Sequence, residues 1–275
     1  MDLPIRLFGR VSAVLLMFAT VAFGSLSVSA HGDHDHPTDG ITADRGSFEP
    51  EHSDDNVDVS GGSGGEVAGP EFSAVEPERV LDTRKTGRVT AGSVVEVGLP
   101  SDIRSISDVS AAVLTVTVVN PAGWGFVTVF PCGASLPDAS NVNYTAGLTR
   151  AATVFSKLGD DNKICVFTYE DTHVLVDVTG VFYDTSAFTA LTPFRLANSR
   201  KTGTVTGGTS LTVPVHGRGG VTTDATHAVV TLTAVDASGW GFLTAYACGG
   251  SVPDASNVNY DTGWTVANQA IVPLS

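Results

Sequence analysis

Residues 72–159 of this 275-residue chain return one for one at residues 188–275, so the folded region consists of duplicate copies of one structural unit. The offset is constant at 116: Phe72-Ser73-Ala74 becomes Phe188-Thr189-Ala190, and Arg84-Lys85-Thr86-Gly87 becomes Arg200-Lys201-Thr202-Gly203. Gly123-Trp124-Gly125-Phe126 becomes Gly239-Trp240-Gly241-Phe242, and the stretch from Pro137 to Tyr144 is identical to that from Pro253 to Tyr260. Of the 88 aligned positions 38 are identical, with no gap. A period this long marks two whole domains, since solenoid repeats run to about 20–50 residues.

Each copy reads as β. The stretch from Ser93 to Leu99 alternates, that from Ala111 to Val119 is a β-branched run, and Phe126 to Phe130 resumes after a Gly-Trp-Gly turn. Ala151 to Lys157, Lys163 to Tyr169 and His173 to Phe182 are further strands, divided by the turn formers Gly159-Asp160-Asp161-Asn162 and Glu170-Asp171. Thirty glycines and only two methionines fit short strands and turns better than long helices. The expected fold is all-β: two tandem antiparallel β-sandwich domains, Ig-like or jelly-roll, at residues 72–187 and 188–275.

The second copy runs out early. Ser275 aligns with Gly159, so nothing in it corresponds to residues 160–187 and their two strands. A sandwich lacking two strands exposes core and open edges, which suits pairing with another chain as a dimer. Two expectations follow: a truncated reading frame, or a second domain completed from elsewhere. The cysteines repeat the pattern. In an oxidising compartment Cys132 and Cys165 are the natural disulfide of the first domain, while Cys248 is Cys132 moved by 116 and its counterpart partner would fall at position 281. Cys248 is therefore expected to keep its thiol.

The first 30 residues have the features of an export signal: Arg6 and Arg10, an apolar run from Val11 to Phe23, and Val28-Ser29-Ala30 as a small-residue cleavage site. Cleavage is expected after Ala30, leaving no membrane segment; an uncleaved anchor is the alternative. Residues 31–71 carry eleven acidic side chains against Arg45 and a Gly/Ser run, which predicts a disordered acidic arm. His31, His34 and His36 alternate there with Asp33 and Asp35, a set that suits loose binding of zinc, copper or nickel. The net charge of −14 opposes binding to nucleic acid or anionic lipid, and no bound cofactor is expected.

One further set of motifs resembles a known module. Pro-x-Arg-x-x-Asp-Thr-Arg (Pro77 to Arg84), Gly-Trp-Gly-Phe-x-Thr-x-Phe-Pro-Cys-Gly (Gly123 to Gly133), Ala-Ser-Asn-Val-Asn-Tyr (Ala139 to Tyr144), Ile-Cys-Val (Ile164 to Val166) and Thr-His-Val-Leu-Val-Asp-Val-Thr-Gly (Thr172 to Gly180) resemble a β-rich repeat of secreted actinobacterial proteins. The resemblance spans residues 72–275. It implies a tandem accessory or surface element, often beside peptidase or cell-wall-hydrolase domains, without established chemistry. The second copy departs from it at Asn198-Ser199-Arg200, where the pattern has Asp-Thr-Arg.

Several residues invite a chemical reading. Asp82 and Arg84 could face a ligand or form a structural ion pair. Asp138, Asn141 and Asn143 supply oxygens, but a calcium site needs six to eight with several carboxylates, and a turn serves them as well. Trp124 and Trp240, each between glycines, could stack on a sugar ring or cap the core. His173, in an apolar strand, suits a core position with one hydrogen bond. No nucleophile elbow, zinc-protease helix or phosphate loop occurs. The expectation is a secreted or cell-surface, non-enzymatic module for adhesion or for binding cell-envelope polysaccharide or a surface protein. The alternatives are an accessory element of an extracellular glycan or peptide hydrolase, or metal binding by the arm.

Overall fold

The computed structural model describes residues 4–9, 14–21, 71–104, 108–184 and 186–275. The arm and its His31, His34 and His36 lie outside the described residues, apart from Glu71.

The first sandwich is built from β3 (Phe72–Asp82), β4 (Val94–Gly98), β5 (Val109–Val119), β6 (Gly125–Pro131), β7 (Val142–Tyr144), β8 (Arg150–Lys157), β9 (Lys163–Thr168) and β10 (His173–Tyr183). Two antiparallel sheets result, in the orders β3-β10-β5-β8 and β4-β9-β6-β7. Period-2 patterning makes the core: Ala112, Leu114, Val116 and Val118 of β5 point inward with Val174, Val176 and Val178 of β10, against Val127, Val129, Ile164 and Val166 of the other sheet. β3 and a single helical turn, Ser101–Arg104, are elements of this half that strand periodicity does not mark.

In β10 the register slips between Val178 and Gly180 against both neighbours. A Cβ on Gly180 would stand 2.5 Å from the Phe72 ring, so glycine there leaves room for that ring against the bulged strand. The disulfide Cys132–Cys165 ties the end of β6 to β9 as the sequence predicts, over a separation of 33 residues, and both cysteines are buried beside Phe130 and Phe167.

The duplication carries over strand by strand. β11 (Phe194–Asn198), β12 (Thr209–Pro214), β13 (His227–Val235), β14 (Gly241–Ala247), β15 (Val258–Tyr260) and β16 (Val266–Pro273) form the second sandwich, and the last three stand 116 residues after β6, β7 and β8, end for end. Its core is Leu232, Val230, Leu243, Val213 and Val258 with their neighbours.

The two missing strand positions are filled. β1 (Pro4–Gly9) lies between β12 and β14, the place of β9, and β2 (Val14–Val21) lies between β11 and β13, the place of β10. The edges expected to stay open are thus paired by the segment the sequence assigns to export. The physical reason is that an apolar run of this length serves as a signal core or as a buried strand equally well, and periodicity cannot tell the two apart. Among the described residues no helix is long and apolar enough to cross a membrane.

The two sandwiches meet through side chains. Phe188 stacks on Phe182 with centroids 3.8 Å apart, Ala111 and Val229 complete that cluster, the Gln269 side-chain oxygen accepts from the Phe155 amide at 2.8 Å, and the Arg150 guanidinium lies 4.9 Å from the centre of the Trp264 ring.

Candidate binding surface

The Gly-Trp-Gly turn that leads into β6 is shaped by what lies beneath it. A Cβ on Gly125 would stand 2.9 Å from the Tyr144 ring, and one on Gly241 would meet Tyr260 at the same distance. Glycine lets the turn sit on a buried tyrosine, and Trp is carried outward: Trp124 is 67% exposed and Trp240 is 68% exposed. Both stand in water, so neither caps the core. Tyr144 anchors the turn from below, its hydroxyl 2.8 Å from the Thr168 hydroxyl and accepting from the Glu170 amide at 3.2 Å, and burial raises its phenol above the usual pKa.

Trp124 is not alone. It stacks on Tyr169 at 5.0 Å, Tyr169 stacks on Phe126 at 5.3 Å, and Phe126 tilts against Phe167 at 5.8 Å. The order follows from register: Phe126 and Phe167 lie on the outer faces of β6 and β9, and Tyr169 donates its amide to the Phe126 carbonyl. Beside this strip opens a cleft of about 750 Å³ lined by Trp124, Phe126, Asp138, Asn143, Arg195 and Arg200. Arg195 reaches it from the second sandwich and donates to the Asp138 carboxylate and carbonyl, both at 2.6 Å. Burial lowers the Arg195 pKa, and the Asp138 charge opposes that shift. Sequence reasoning singles out the tryptophans and misses Tyr169, Phe167 and Arg195; the i, i+2 spacing of Trp124 with Phe126 and of Phe167 with Tyr169 is the signal that marks one strand face.

The remaining candidates are structural. The Asp82 carboxylate accepts from the Arg84 Nε and Nη2 at 2.9 and 2.7 Å and from its backbone amide at 3.1 Å, and these bonds hold it far below the usual carboxylate pKa. In the second copy the Asn198 oxygen accepts from the Arg200 amide and Nε, so the turn survives without the acid. A depressed folded pKa means stability present above the unfolded value near about 3.9 and lost as pH falls toward the folded one. Asp82→Asn should therefore lower the first sandwich's melting slightly at neutral pH and flatten its decline below about pH 4, so that variant and wild type converge in acid. Equal acid slopes in a calorimetric pH series would sink that account.

Asn141 spends its side-chain oxygen on the Val129 amide at 2.7 Å, and Asn257 does the same for Ala245 at 2.7 Å. Asn143 accepts from the Ser140 hydroxyl at 3.2 Å. These oxygens extend the sheet in place of calcium ligation. His173 is half-buried at the start of β10 rather than in the core, and its Nδ1 lies 3.1 Å from the Thr83 carbonyl. Cys248 keeps its thiol and is half-buried.

Comparisons with family models, with curated proteins and with solved structures find no match to this chain.

Proposed function

We propose that this chain is a secreted or cell-surface, non-enzymatic β-sandwich module that binds cell-envelope or other extracellular polysaccharide, with Trp124 as the principal contact and Trp240 as its counterpart in the second sandwich. The observation that carries the reading is the exposed Trp124 ring stacked on Tyr169 at the mouth of a cleft lined by apolar and by charged side chains. Two stacked aromatic rings left in water are poor solvation and good recognition, because a pyranose presents C–H faces to rings and hydroxyls to the amide and charged groups alongside. The buried Cys132–Cys165 disulfide supports an extracellular setting, where such bonds form and persist.

Trp124→Ala and Tyr169→Ala are expected to weaken retention on cell-envelope polysaccharide by about tenfold or more, the scale of an aromatic hot spot. Stability should fall by less than about 1.5 kcal/mol, the scale of one exposed ring pair. Unchanged retention in both variants, or a stability loss of about 3 kcal/mol that marks Trp124 as core, would overturn the assignment.

A further inference from the structure

The second sandwich holds a pair of strand positions, one in each sheet, whose register is specified more finely than its present occupant requires. Arg6 stands 159 residues before Cys165, and Val14 stands 159 before His173, so β1 and β2 occupy the second sandwich where β9 and β10 occupy the first, residue for residue. Even the bulge recurs: β10 skips Thr179 between Val178 and Gly180, and β2 skips Thr20 between Ala19 and Val21. At two positions the chemistry differs. Cys165 lies opposite Phe130 and bonds Cys132; in the second sandwich Arg6 lies opposite Tyr246, with Cys248 in the place of Cys132. Asp177 lies opposite Arg79 and takes a two-pronged ion pair at 2.7 and 2.9 Å; in the second sandwich Phe18 lies opposite Arg195, whose guanidinium turns to Asp138 instead.

We propose that the slot between β12 and β14 and between β11 and β13 is a strand-acceptor site for a two-strand segment of the β9–β10 kind on another polypeptide, one that brings a cysteine to the register position of Arg6 and an aspartate, twelve residues later, to that of Phe18. Main-chain hydrogen bonds along four strand edges supply the affinity, as in strand addition generally, and the cysteine and aspartate supply the selectivity. Residues 4–9 and 14–21 hold the slot in the full chain, and cleavage after Ala30 opens it. That opening step alone rests on the export reading.

The test uses a peptide of residues 160–184 whose Cys165 is carried as a mixed disulfide with glutathione. Cys248 thiolate attacks the peptide sulfur, the Cys248–Cys165 bond forms and glutathione thiolate leaves, so no oxidant is needed. The chain beginning at His31 should acquire this bond, mapped by non-reducing mass spectrometry, together with a second cooperative melting transition. The full chain should react more slowly, because β1 and β2 must first leave. An Asp177→Phe peptide should react about tenfold more slowly than the parent, a loss equal to about 1.4 kcal/mol. A scrambled peptide that labels Cys248 as fast as the parent, or a labelled His31 chain whose second sandwich gains no transition, would overturn the proposal. Whether cells remove residues 1–30 is read separately from the intact mass of the exported protein, so failure of the export reading is distinguishable from failure of the slot.

Discussion

Serine at both Cys132 and Cys165 should lower the stability of the first sandwich by about 3 to 4 kcal/mol and leave the second sandwich's transition where it is. The bridge closes a separation of 33 residues that includes β7 and β8, and the loop-closure entropy it removes from the unfolded chain gives this magnitude. Cys132 follows the last residue of β6, and the turn at Gly159 and Asp160 is held nearby by backbone bonds from Asp160 to the Cys132 carbonyl and from Gly159 to the Lys163 carbonyl. Denaturant melts of the double variant under oxidising conditions provide the measurement. A loss below about 1 kcal/mol would show that the unfolded chain is already constrained in that region.

A chain beginning at His31 should lose the second cooperative transition altogether while the first persists. β11 and β12 have one described ladder partner each, β2 and β1, so removing that pair strips both strands of their sheet neighbours. The loss compares with the whole stability of a small domain, about 5–15 kcal/mol, and no local repacking offsets it. Amide exchange is the sensitive probe: protection at Phe194–Asn198 and Thr209–Pro214 should vanish, with that at Val109–Val119 retained. Full protection at β11 and β12 in the shortened chain would mean that the second sandwich closes by another topology.

Only the outline of the candidate site was legible in sequence. Glycine on both sides of Trp124 indicates a tight turn, but whether the ring folds over the core or stands in water depends on what lies under the turn. Tyr144, some twenty residues later, occupies that space, and only then is Trp124 forced outward beside Tyr169. The Asp138–Arg195 pair that closes one side of the cleft joins the two copies, and a repeat read one copy at a time contains no trace of it.

For the fold, sequence by itself determined the duplication and most of the strands of the first copy. Alternation in β5 and its counterpart β13, and the ungapped offset of 116, place the same side chains on the same faces in both copies, because a strand's period of two leaves no freedom once one face is buried. What covers the second copy's empty positions was decided only by tertiary structure. Residues 4–21 share with 163–180 only the identities Ile5 with Ile164, Phe8 with Phe167, Leu16 with Leu175 and Thr20 with Thr179. A buried strand position asks for apolar character and length rather than identity, so a segment that also reads as an export signal could be recognised as β1 and β2 only once the slot that selects it had formed.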